Sequence, residues 1–114
     1  MHVQGPHPPL PAAEPTRAEV DAWGGPLLLE FGTRWCGHCA AAQPAIATAM
    51  ASHSGVKHLK VEDGRGRPLG RSFGVKLWPT LVLLHEGRVL ARLVRPHSAA
   101  EIDAALQTWR RPNG

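Results

Sequence analysis

The chain's only two cysteines, Cys36 and Cys39, are separated by Gly37 and His38 in the stretch EFGTRWCGHCA. Sulfur at this spacing supports metal ligation, a structural cross-link or reversible electron exchange with another disulfide. A structural zinc site needs four ligands, usually a second cysteine pair or suitably spaced histidines. The other histidines, His2, His7, His53, His58, His85 and His97, are not expected to complete one, so no metal is expected. Haem attachment would require histidine directly after Cys39, and Ala40 stands there. A secreted disulfide framework needs several spaced pairs, and one close pair does not supply it. Inert core thiols fit poorly with neighbours as polar and flexible as Gly37 and His38.

Thiol–disulfide exchange accounts for the pair atom by atom. Cys36 is expected in the first turn of a long helix, where free amides and the positive end of the helix dipole stabilise a thiolate. Such a setting lowers a cysteine pKa from about 8.5 into the range of roughly 3.5 to 7.5. Cys39 lies one turn further in, less exposed, and is placed to attack a mixed disulfide formed on Cys36.

The elements that must hold this pair can be read outward from it. PLLLEF (26–31) is a continuous apolar run after a Gly-Gly-Pro turn, the pattern of a strand buried on both faces. Glu30 breaks that run. A carboxylate there costs several kcal/mol unless it is protonated, paired, hydrated or able to reach the strand end. From Cys36 to His53 the chain is alanine-rich, with Ala42, Ile46, Ala49 and Met50 on one face, and it predicts the longest helix, carrying Pro44 inside it.

The remaining elements follow in order. TRAE (16–19) has the form of a capping box and opens a short first helix that Gly24 and Gly25 end. VKHLKVED (56–63) predicts a strand, 67–73 a short helix, and TLVLLH (80–85) a second buried strand. Glu86 and Gly87 turn the chain into RVLARLV (88–94), with Arg88 and Arg92 expected on one face and Val89, Ala91 and Leu93 on the other. Ser98 and Glu101 form a second capping-box pattern before a helix carrying Ile102, Ala105, Leu106 and Trp109. Helices between strands must cover both faces of a sheet, which predicts an α/β fold.

Composition excludes several classes. At 114 residues the chain suits one domain with a real core. No apolar run approaches the ~18 residues of a membrane span, so no membrane partner is expected. The net charge of +4 comes from ten arginines and three lysines. They form no run of five and accompany no nucleic-acid motif, so no nucleic-acid partner is expected. MHVQGPHPPLPAAEP, with five prolines and no charged start followed by an apolar core, does not read as a secretory signal. The expected location is therefore the cytoplasm, or the periplasm if an export signal was trimmed.

WCGHC after an apolar strand, Pro44 five residues past Cys39, WPT at 78–80 and HEG in the last hairpin together resemble the thioredoxin family. LLLEFGTRWCGHC is more similar to protein disulfide isomerase domains, which have Glu before Phe and the same CGHC. The resemblance implies the thioredoxin fold, a central mixed sheet of four or five strands flanked by helices on both faces. It also implies a protein thiol–disulfide oxidoreductase with no cofactor beyond the Cys36–Cys39 pair. Cys36 would attack and Cys39 resolve. Glu30, its pKa raised by burial, would accept the Cys39 proton directly or through water, and the cis-proline Pro79 would present backbone to an extended substrate.

His38 would tune the Cys36 thiolate, or else be only an exposed turn residue. Trp35, Gly37, Trp78, Thr80 and Arg95 complete the expected substrate-binding surface. Trp78 is bulky for its place, and Arg95 with Pro96 stands where the family usually has glycine. The expected organisation is a flexible proline-rich arm (1–15), a thioredoxin-like domain (16–110) and a short tail (111–114). The implied partners are proteins bearing disulfides or thiols and a recharging reductase, with the chain itself a monomer. The resemblance favours reduction of protein disulfides, with oxidase or isomerase activity, or a redox-sensing interaction module, as alternatives.

Overall fold

The computed structural model describes residues 14–110. Expectations for residues 1–13 and 111–114 lie outside them. Thr16 caps the first helix, α1 (Arg17–Asp21), accepting from the Glu19 amide while Glu19 returns a bond to the Thr16 amide. The succeeding elements are β1 (Pro26–Gly32), α2 (Gly37–Met50), β2 (Lys57–Glu62), α3 (Pro68–Ser72), β3 (Thr80–His85), β4 (Arg88–Val94) and α4 (Ala99–Leu106), with a 3-10 turn at Thr108–Arg110.

The strands form one sheet in the order β2-β1-β3-β4. β1 and β2 run parallel, as their long crossover through α2 requires, while β1–β3 and β3–β4 are antiparallel. Alternation along the strands divides the core in two. Leu27, Leu29, Phe31, Leu59, Val82 and Leu84 bury one face with Val20 of α1 and Leu69 and Phe73 around α3. Leu28, Leu81 and Leu83 bury the other with Ala42, Ile46 and Ala49 of α2 and Ile102 and Leu106 of α4. β1 is covered on both sides, which is why its sequence is apolar without alternation.

Four local expectations are corrected. β4 carries a bulge: Leu83 pairs with Ala91 but Leu84 pairs with Val89, so Leu90 is the extra residue. The bulge moves Val89 off the face of Ala91 and Leu93, and Arg88 off that of Arg92. Arg92 donates to the carbonyls of Phe73 and Gly74 at the end of α3. α2 starts at Gly37 with Cys36 as its cap and ends at Met50, short of the expected His53. His53 is instead buried, its Nε2 2.7 Å from Asp103 Oδ1 on α4, and so ties the end of α2 to α4.

At the head of α4 the Ser98 hydroxyl accepts from the Glu101 amide, but Glu101 accepts from His97 rather than from Ser98. Glu14, expected in the arm, accepts from the Leu69 amide at 2.6 Å and is tied to the domain. Among the described residues no helix is long and apolar enough to cross a membrane.

Candidate active site

The two cysteines sit where β1 gives way to α2, beneath the loop that enters β3. Cys36 has extended backbone (φ −92°, ψ 114°) and caps α2, its sulfur accepting the Cys39 amide at 3.1 Å. A sulfur in this position takes up an amide that the helix itself leaves unpaired. Both thiols are free, Cys36 half-buried and Cys39 buried. Gly32, at the end of β1, makes room for the inner one: a Cβ there would lie 2.6 Å from Cys39 Sγ.

The two environments push the thiols apart. Burial works to raise Cys36, but the Cys39 thiol, the amides of Cys39 and His38, and the charge of Arg95 outweigh it and hold Cys36 below the usual thiol value. Burial, the hydrogen bond to Cys36 and the charges of Cys36 and Glu30 push Cys39 up to about 11, despite an opposing backbone contact at Thr33. The outer sulfur is therefore the readier thiolate and the inner one the reserve thiol. His38 and Gly37 are exposed. His38 lowers Cys36 through its backbone N–H, and the side-chain charge that favours the thiolate belongs to Arg95.

The facing loop is fixed from two sides. The Trp78–Pro79 peptide bond is cis. The Trp78 carbonyl lies 3.9 Å from Cys36 Sγ and accepts from Arg95 Nε at 2.8 Å, while the Arg95 amide donates to the Pro79 carbonyl at 2.9 Å. Arg95 adopts φ +50°, the left-handed region that glycine enters freely; the hydrogen bonds of its side chain and amide hold it there. Trp78 donates its indole N–H to Asp63 Oδ2 at 2.8 Å. Asp63 in turn packs so closely on Gly70 that a Cβ there would meet its Oδ1 at 2.1 Å. The Thr80 hydroxyl is buried and donates to the Leu77 carbonyl. Around this loop Trp35 is 90% exposed and Leu77 47%, apolar surface beside a reactive sulfur.

Glu30 is buried, and it is neither isolated nor raised. Its Oε1 lies 2.7 Å from His58 Nε2 of β2, and its Oε2 accepts from Gln43 Nε2 of α2 at 2.8 Å. Burial pushes the carboxyl up, but the hydrogen bonds of His58 and Gln43 and the charges of His58 and Lys60 more than offset it, so the pKa falls below its ordinary 4.5. Gln43 also donates to the Cys39 carbonyl at 3.0 Å and accepts from Lys60 Nζ at 2.9 Å. A cleft of about 420 Å³ opens on this network, lined among others by Glu30, Gly32, Arg34, Cys39, Gln43 and Lys60.

The structure thus brings Cys36, Cys39, Trp78, Pro79 and Arg95 together, with Glu30 behind the inner cysteine. His58, Gln43, Asp63 and Gly32 escape a reading of the sequence by motif. Two of them leave a signal: His58 and Lys60 alternate on the β2 face that borders Glu30, and Gln43 follows Cys39 by one helical turn. His53 and His58 follow the cysteines at H-x4-H spacing, which imitates a zinc finger. They are committed elsewhere, to Asp103 and to Glu30. No group of three or more metal-ligating side chains occurs among the described residues.

Comparison with known proteins agrees with this geometry. The thioredoxin family model matches residues 13–108. The structure of thioredoxin 2 from Pseudomonas aeruginosa PAO1 in its reduced form superposes with TM-score 0.77 and 56% identity, over 86% of this chain and 91% of that one. Thioredoxin Asp f 28 of Aspergillus fumigatus is 25% identical over 84 residues, 74% of this chain and 78% of that protein. Protein disulfide-isomerase A2 of Pongo abelii is 34% identical over 107 residues, 75% of this chain but 20% of that longer protein. With a cysteine pair whose two thiols are pushed in opposite directions at the head of a helix, and a family model spanning the whole sheet, the chain belongs to the thioredoxin family and is a thiol–disulfide oxidoreductase.

Proposed function

We propose that the protein reduces disulfides of other proteins, acting as a monomer in the cytoplasm and recharged by a dedicated reductase. The observation that carries this reading is the division of labour between the sulfurs. Cys36 is accessible and held low, and Cys39 is buried and held at about 11. A thiolate attacks a disulfide far faster than a thiol, so Cys36 opens the reaction and Cys39 stays protonated until the mixed disulfide exists.

The chemistry then runs in two exchanges. Cys36 Sγ bonds to one substrate sulfur and the other leaves, taking up a proton. Cys39 gives up its proton, attacks Cys36 Sγ and releases the second substrate sulfur, leaving the Cys36–Cys39 disulfide and a substrate reduced by two electrons. Glu30 sits behind the inner cysteine, where a base for that proton is needed. A substrate strand would lie over Cys36, pairing with the backbone around Pro79 and Thr80 and resting apolar side chains on Trp35, Leu77 and Trp78. The guanidinium of Arg95 beside this surface suits an acidic side chain next to the substrate disulfide.

His38 and the CGHC pattern support a second reading, in which the pair runs in the oxidising direction as an oxidase or isomerase. Equilibration with glutathione separates the two. A strongly reducing couple supports the reductase, and a couple close to that of disulfide isomerases, about −180 mV, contradicts it. The variant His38→Pro is expected to be more reducing by tens of millivolts, because an exposed imidazole near Cys36 favours the reduced form when protonated. Proline also removes the backbone N–H at position 38, so an unchanged potential would show that neither the imidazole nor that N–H sets the couple.

A further inference from the structure

We propose that Arg95 determines substrate specificity: its guanidinium receives a carboxylate carried two residues from the reactive cysteine of an extended protein substrate. This rests on the reading above that Cys36 opens disulfides of other proteins, and it names the kind of segment that is preferred. Arg95 lies one oxygen away from the reactive sulfur. The Trp78 carbonyl is 3.9 Å from Cys36 Sγ and accepts from Arg95 Nε at 2.8 Å. That bond occupies one edge of the guanidinium. Among the described residues neither Nη of Arg95 has an acceptor, and no carboxylate pairs with the side chain.

The backbone makes arginine a costly choice at this position. Glu86 and Arg95 are the two described non-glycine residues with positive φ. Glu86 precedes Gly87 in the turn between β3 and β4, where a two-residue hairpin demands that conformation. At Arg95 glycine would adopt the same backbone without strain, and its amide would still donate to the Pro79 carbonyl. What arginine adds is its planar fork of donors. Arg92 of β4 shows the contrast, since it spends both Nη groups on the carbonyls of Phe73 and Gly74.

Distance and face select the position in the substrate. Along an extended strand alternate side chains share a face, and two residues span about 7 Å. That step is comparable with the path from Cys36 Sγ across the Trp78 carbonyl to the Arg95 side chain. A carboxylate two residues from the substrate cysteine therefore shares the face of its sulfur and reaches the guanidinium, whereas a side chain directly beside the cysteine points away. With Nε taken, the two Nη groups offer the end-on fork that matches a pair of carboxylate oxygens. The exposed cations Arg34 and Lys76 draw acidic segments toward the site without fixing their position. The bonds exchanged are unchanged: Cys36 Sγ joins one substrate sulfur, and the other leaves and takes up a proton.

The test uses symmetrical disulfides of acetylated, amidated peptides that carry glutamate or glutamine two residues before or after the cysteine. A second set carries the same residues directly beside it. Fully reduced protein is mixed with each peptide, samples are quenched in acid, and the released thiol is separated by chromatography. Each rate is divided by that of dithiothreitol on the same peptide, which removes the effect of the added charge on the disulfide itself. In the unaltered protein, glutamate two residues away is expected to outpace glutamine by roughly tenfold, the size of one hydrogen-bonded charge contact. The direction of the bound strand decides on which side of the cysteine this gain falls, and glutamate directly beside the cysteine gains less.

In Arg95→Gly the preference for glutamate is expected to disappear, whatever happens to the rates of all peptides together as the Cys36 thiol changes. Arg95→Lys keeps a charge and a donor for the Trp78 carbonyl but loses the fork, so it should keep only a small part of the preference. Equal rates for glutamate and glutamine in the unaltered protein overturn the proposal. So does a preference that survives Arg95→Gly, persists in full in Arg95→Lys or is as large directly beside the cysteine, because it then belongs to diffuse attraction by the surrounding cations. In each of these cases the protein still opens the peptides, and only the present inference fails. If the unaltered protein opens none of the peptides that dithiothreitol opens, the reading of Cys36 as a reductant of other proteins fails and the inference falls with it.

Discussion

Arg95 concentrates several roles in one side chain. Its guanidinium holds the Trp78 carbonyl beside Cys36 and supplies the charge that lowers the thiol, from a backbone conformation (φ +50°) that an L-residue enters at some strain. Arg95→Gly relieves the backbone and removes the charge. The expected result is a higher Cys36 pKa, read from the pH dependence of its alkylation, with folding stability unchanged or improved by up to about 1 kcal/mol. An unchanged alkylation profile would assign Cys36 to the helix end alone.

Glu30 behaves in the same concrete way. Glu30→Leu leaves His58 Nε2 without its partner and Gln43 Nε2 with the Cys39 carbonyl alone, so it is expected to destabilise by about 1 to 3 kcal/mol in a denaturant titration. Because the folded pKa lies below 4.5, Glu30 stabilises fully above that value, and the contribution is lost as pH falls through the folded pKa. The gap between wild type and Glu30→Leu should therefore be widest near neutrality and close in acid. The reactive cysteines and the anomaly of Glu30 were legible in the sequence, because a carboxylate among leucines is conspicuous. Its partners were not: His58 and Gln43 come from other elements, and only the parallel β1–β2 register and the α2 crossover bring them to it.

At the scale of elements, the site depends on a close approach between the β2–α3 connection and the loop before β3. Asp63 anchors the Trp78 indole and rests against Gly70 of α3, where a Cβ would come within 2.1 Å of its carboxylate. Gly70→Ala therefore forces Asp63 aside. A loss of about 1 to 3 kcal/mol is expected from the clash, with weaker binding of substrate as Trp78 is freed, visible as a raised KM in a disulfide-reduction assay. Unchanged stability and KM would mean that the indole needs no anchor.

The periodicity of the sequence located every strand and helix to within a few residues, since buried runs and caps are local signals. It missed the bulge at Leu90 and the early end of α2. Both are set by partners distant in sequence, the first by the pairing of β4 with β3 and the second by the tie of His53 to Asp103 on α4.

Across the whole molecule the sheet serves as a rigid frame with the chemistry at one end. The two cores on its faces fix β1, and β1 presents Glu30 and Gly32 to the start of α2, so the two sulfurs differ in burial by construction. That difference is the central claim: Cys36 attacks, and Cys39 waits and then resolves. The most direct measurement follows insulin disulfide reduction with dithiothreitol as electron donor, together with trapping by the single-cysteine variants. The account predicts that the unaltered protein accelerates reduction, that Cys36→Ser abolishes the acceleration, and that Cys39→Ser accumulates a covalent complex through Cys36 which dithiothreitol releases. Unaltered protein that leaves the insulin disulfides intact, together with a Cys39→Ser variant that traps no partner, would contradict it.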